Sequence, residues 1–137
     1  MTQEQKDLLL KDLCARLPYG VKFACNKNIY TAKGLDLIVT DEGDWEYAVT
    51  AKGIAPIEID FIKPYLLPIS SMTEEQEVEF DKMAELDMEY TITQIKNDSL
   101  IWTSGLNRYN WFIKNHFDVY DLIPMGLAND ATGLNIY

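Results

Sequence analysis

Leu9, Leu10, Leu13, Cys14 and Leu17 recur at the spacing of one helical face. Thr2-x-x-Gln5 precedes them as a capping box, and Pro18 and Gly20 follow as stop signals. The pattern predicts a helix from about residue 3 to 17. The period then falls to two. Val21 to Cys25 alternates as a strand, Asn26-Lys27-Asn28 reads as a turn, and Ile29 to Ala32 pairs back. Leu35, Leu37 and Val39 alternate again, followed by a tight turn at Asp41-Glu42-Gly43-Asp44. Trp45, Tyr47 and Val49 form the next strand, Gly53 and Pro56 break it, and Ile57, Ile59 and Phe61 resume the alternation.

Lys63 to Met72 holds two prolines and two serines and reads as an extended connector. Thr73-x-x-Gln76 is a second capping box, with Glu74 and Glu75 placed to favour the helix dipole. A second helix is predicted from 74 to about 86, with Val78, Phe80, Met83 and Ala84 on its apolar face. Tyr90 to Ile95 is β-branched and reads as a strand, with a turn at Asn97-Asp98. Residues 99–103 are ambiguous between strand and helix. A third helix is predicted from near Ser104 to His116, then a short turn capped by Asp118. The tail after Pro124 is polar and turn-rich, predicted to pack on the surface. Contiguous strands between helices define an α+β class: an N-terminal helix, an antiparallel meander or small, partly closed barrel of four to six short strands, and two further helices.

The 137 residues correspond to a single domain spanning 1–137, large enough to bury about two thirds of the unfolded surface. Net charge is -10 and uneven. Residues 1–35 carry +3, residues 36–60 carry -6, and residues 73–89 carry -7. Such a chain repels nucleic acid and anionic membranes, so neither is an expected partner. No apolar run approaches the roughly 20 residues that span a bilayer. The N-terminus lacks a basic region of the signal-peptide kind. Cys14 and Cys25 are too few to staple the chain and are expected to be reduced and at least partly buried, which fits a cytoplasmic protein.

Candidate chemistry is sparse. His116 is the sole histidine, and its place near a helix C-terminus is explained by the dipole or by capping of the last carbonyls. Two separated cysteines and one histidine give no zinc spacing, and Asp41 to Asp44 lacks the register of a calcium loop. No glycine-rich phosphate loop occurs. The expectation is no catalytic residue, no metal and no cofactor. The candidate interaction surface consists of the two acidic blocks and one aromatic: Asp41, Glu42, Asp44, Trp45 and Glu46, then Glu74, Glu75, Glu77, Glu79 and Asp81. Trp45, beside the acidic turn, is the tryptophan expected to be exposed. Arg16 and Lys22, on the net-basic segment, have no evident structural task.

Three segments, LLLKDLCARLPYGVK, KPYLLPISSMTEEQ and NHFDVYDLIPMGLANDATGLNIY, resemble a family of small uncharacterised proteins of Bacteroides-group gut bacteria and their prophages and mobile elements. The likeness covers both ends and the central connector, a little under half of the chain. Related sequences often carry Tyr-Arg-Gly after the aspartate at the position of Asp118. Here Val119, Tyr120 and Asp121 stand instead, so no role for that arginine carries over. The resemblance implies a mobile-element context and supplies no activity. Three readings follow: a non-enzymatic protein-binding accessory or regulatory module with a basic protein partner, an acidic DNA mimic that occupies a nucleic-acid site on a defence protein, and a small carboxylate-dependent enzyme.

Overall fold

The computed structural model describes residues 1–83 and 106–137. The predicted strand at 90–95, the turn at 97–98, the ambiguous stretch at 99–103 and the end of the second helix lie outside them. Helix α1 spans Gln3–Arg16, and its capping box forms in full: Gln5 N–H donates to Thr2 Oγ1, and Thr2 N–H to Gln5 Oε1. A 3₁₀ turn at Leu17–Tyr19 and a left-handed Gly20 (φ 70°) end it.

Strands β1 (Lys22–Cys25), β2 (Asn28–Val39), β3 (Trp45–Ala51) and β4 (Ile57–Glu58) form one antiparallel sheet in chain order. Among the described residues the sheet is open, so of the expected meander or partly closed barrel it is the meander. Asn26 and Lys27, both at positive φ, make the two-residue turn between β1 and β2. The two short strands read from Ile29 to Ala32 and from Leu35 to Val39 are one 12-residue strand. Its register slips at Lys33, with Ala32 opposite Ala51 and Gly34 opposite Thr50. This bulge is why the alternation looked interrupted.

Beyond β4 the predicted alternation gives way to a 3₁₀ turn at Ile59–Phe61, which buries Ile59 and leaves Phe61 outside. The connector is more structured than expected. Its Tyr65–Leu66 (β5) pairs in parallel with Asn129–Asp130 (β6), so the tail enters a second, two-stranded sheet. Residues 74–83 form α2, capped reciprocally by Thr73 and Gln76. Helix α3 spans Leu106–Lys114, two residues short of the predicted end.

One core joins these parts. Leu9 and Leu13 of α1 meet Phe23, Val49, Ile59, Leu66 and Leu122, all essentially without solvent contact. Full burial of each such side chain is worth about 1.5–3 kcal/mol. A satellite cluster packs Phe80 of α2 against Phe112 (4.9 Å between rings) and Trp111 against Phe117 (5.6 Å). The α1 stripe differs from the predicted one. Asp12 and Arg16, not Cys14, complete the buried face with Leu9 and Leu13. Cys14 is exposed, because one step from Leu13 rotates it about 100° off that face. Cys25 is half-buried against the core.

Candidate functional site

Beyond the bulge, β2 and β3 run together to the Asp41–Asp44 turn. The cross-strand pairs on one side are Leu35 with Val49, Leu37 with Tyr47, and Val39 with Trp45. Leu35 and Val49 pack in the core. The next two pairs continue the same face past the body of the protein, where Leu37, Val39, Trp45 and Tyr47 are all exposed. The core face of the sheet therefore extends as an uncovered apolar arm. Trp45 is 71% exposed and Phe61, nearby after β4, 72%. A groove of about 180 Å³ separates the arm from the first turns of α1, with Leu10, Leu37, Trp45 and Tyr47 among its walls.

Carboxylates surround the base and tip of this arm. Asp41, Glu42, Asp44, Glu46, Glu58 and Asp60 line a cleft of about 400 Å³, together with Thr40, Phe61 and Lys6. The turn that supplies the first three is closed by Thr40 N–H donating to Asp44 O (2.8 Å), with Gly43 at φ 86°. Lys6 of α1 reaches in and bridges Glu46 (2.7 Å) and Asp60 (2.9 Å). Those two hydrogen bonds hold its ammonium well above the usual lysine range. One cation against six carboxylates leaves the cleft strongly negative. Among the described residues, no three His, Cys, Asp or Glu side chains are grouped so as to hold a metal ion.

Of the predicted surface residues, Asp41, Glu42, Asp44 and Glu46 line this cleft, and Trp45 stands beside it. Glu74, Glu75, Glu77, Glu79 and Asp81 project from α2 into solvent and line none of it. Glu79 instead accepts a hydrogen bond from Trp111 Nε1 (3.3 Å). Sequence reading missed Glu58, Asp60, Phe61, Leu37, Val39 and Tyr47. The first two are separated from the turn by a whole strand. Leu37, Val39 and Tyr47 obey the alternation of an ordinary half-buried strand and are exposed by the sheet's overhang, while the 3₁₀ turn after β4 turns Phe61 outward.

A second charged cluster is buried and does a different task. Arg16, fully buried, donates from Nε to Asp12 Oδ2 (2.8 Å) and from Nη2 to the Phe117 carbonyl. Arg16 therefore has a structural task that its sequence context did not show. Lys22, the other cation, spends its ammonium on Thr31 Oγ1 (2.8 Å). Burial pushes the Asp12 carboxyl up, against the pull of Arg16. His116 follows α3 in the left-handed region (φ 66°) and completes a Schellman closure: His116 N–H donates to Ile113 O, and Phe117 N–H to Phe112 O. Its imidazole stacks on Tyr137 at 3.5 Å. Desolvation first, then Arg16 and Lys22, lower its pKa to about 4. Of the two expected tasks, the last carbonyls of α3 are indeed closed here, but by the backbone amides of His116 and Phe117, and the lowered pKa speaks against a cation on the helix dipole. Asp118 caps the following turn as expected, accepting from Leu122 N–H and Ile123 N–H (2.9 Å each).

The molecule is thus an α+β domain that pairs a buried polar strut with an acidic, aromatic-tipped hairpin arm. No family model, curated protein or solved structure matches the chain. No helix among the described residues is long and apolar enough to cross a membrane.

Proposed function

We propose that the protein is a protein-binding accessory or regulatory module, and that the β2–β3 arm is its docking surface. The observation that carries this reading is the uncovered continuation of the core face. Leu37, Val39, Trp45 and Tyr47 form a contiguous exposed patch on one hairpin, and such patches mark interaction sites. Tryptophan and tyrosine are the residue types that anchor interfaces. The carboxylates of the adjoining cleft select the partner: a basic surface that presents an apolar side chain to the groove beside α1. Charge of this density speeds and steers encounter, and the apolar contact supplies lifetime. The resemblance to mobile-element proteins fits a module that acts on a host or element protein.

The test is affinity capture with the intact protein, Trp45→Ser and Leu37→Ser, each at low and high salt, followed by direct binding with the purified candidate. The expected result is a basic partner lost at high salt and lost in both variants. A partner retained equally by wild type and variants, or no salt-sensitive partner in repeated trials, refutes the reading. Displacement of the partner by duplex DNA would assign the arm to DNA mimicry instead.

A further inference from the structure

Among the described residues, the arm has open flanks as well as an open face. β1 covers β2 only at residues 28–31, and β4 covers β3 only at Ala48 and Val49. Thr40 and Asp44 form a hydrogen-bonded pair across the turn. Alternation along an antiparallel ladder then makes Ile38–Glu46 a hydrogen-bonded pair and leaves Leu37–Tyr47 and Val39–Trp45 as narrow pairs. The N–H groups of a narrow pair point away from the partner strand. At Leu37 and Tyr47 they point toward flanks where no described strand pairs. Such edges template the addition of another chain.

Both of those N–H groups are already occupied. Leu37 N–H donates to Asp36 Oδ1 (2.9 Å), and Tyr47 N–H donates to Glu46 Oε1 (3.0 Å). In each case the carboxylate belongs to the preceding residue and folds back on the strand's own outer edge. Glu46 is held there by Lys6 through its other oxygen. A single such contact on an exposed strand is ordinary local satisfaction. Here it occurs on both strands of the arm, at the same cross-strand pair, where the exposed apolar face begins.

We propose that Asp36 and Glu46 are edge guards. Each occupies the donor that an incoming strand would use, and each puts a negative charge where that strand's carbonyl oxygen would sit. The arm therefore refuses backbone pairing with a second copy of this chain, while its apolar face stays bare for a partner that docks across it. This deepens the docking reading, but its test contains no partner, so the two stand or fall separately.

Sedimentation across a concentration series compares wild type with Asp36→Ala/Glu46→Ala. A control, Asp41→Asn/Glu42→Gln, loses the same two charges at the turn and keeps both guards. The guard variant should self-associate at least about tenfold more tightly than wild type, and the control should match wild type. Equal behaviour of guard variant and wild type overturns the proposal, as does equal association of guard variant and control. Amide exchange in the unaltered protein gives a second reading that needs no variant to fold. Leu37 and Tyr47 should exchange more slowly than Val39 and Trp45, and equal rates overturn the proposal.

Discussion

Helix α1 carries an ion pair near each end, and the two are built from similar groups under opposite conditions. Near its C-terminus, Asp12 and Arg16 are removed from water entirely. Near its N-terminus, Lys6 meets Glu46 and Asp60 at the rim of an open cleft. Burying a charge pair costs several kcal/mol per ion, and mutual attraction repays this only with good geometry. The buried pair is therefore a constraint. Arg16 fits only if the chain after α3 delivers the Phe117 carbonyl to it, so the pair fixes how two distant ends of the sequence meet. The Lys6 cluster is only partly buried, keeps some contact with water, and costs less to rearrange than the fully buried pair. Under the proposed docking role, the Lys6 contact would yield to an incoming cation at a lower cost than the buried pair would.

The sharpest way to break this contrast is to remove the arginine. Arg16→Met leaves Asp12 buried without its cation and should cost about 3–5 kcal/mol in urea unfolding. Asp12→Leu/Arg16→Met should recover much of that loss, because no charge is then stranded. Asp118→Ala orphans two amides beside the strut and should cost about 2 kcal/mol by the same measurement.

The strut should also respond to acid. His116 has a folded pKa of about 4 against an ordinary 6.5. Between those values the unfolded chain takes up the proton first, so stability is lost as pH falls through that window. The full shift corresponds to about 3 kcal/mol, and partial contact of the ring with water reduces the expected loss to about 1–2 kcal/mol. Asp12, whose pKa is raised, titrates in the opposing sense. His116→Asn tolerates the left-handed backbone and removes only the histidine's share, so the difference between the two pH profiles isolates it. At the other end of the scale, Lys6→Met should cost no more than about 1 kcal/mol at low salt and less at high salt, read as a small drop in Tm. A loss comparable to that of Arg16→Met would erase the distinction between the two pairs.

Much of the frame was legible in the sequence. Both capping boxes, the Pro18–Gly20 stop, the Asp41–Asp44 turn and the exposure of Trp45 all rest on local signals, and the structure has each of them. What escaped was non-local. Arg16 reads as a cation without a structural task because nothing nearby in sequence announces the Phe117 carbonyl. His116 reads as a dipole partner or a carbonyl cap, and its left-handed backbone, set by the chain leaving α3, is not announced in the sequence. Tyr137 donates to the Tyr65 carbonyl and accepts from the Lys22 amide, contacts that join three remote segments. Of the arm, the acids and Trp45 were visible and the remaining apolar residues were not: Leu37 and Val39 differ from Leu35 only in lying past the point where the core stops.

The bulge at Lys33 gives the arm two separately encoded properties. Which side of β2 is greasy depends on alternation, counted from the turn and matched to β3. Where the arm aims depends on the bend that one surplus residue imposes. A chain lacking Lys33 would keep Gly34 opposite Thr50 and every later pair intact, with the same side chains on the same side, yet launch the hairpin along a straighter path. Homologues that gain or lose a residue here would thus re-aim an unchanged contact surface.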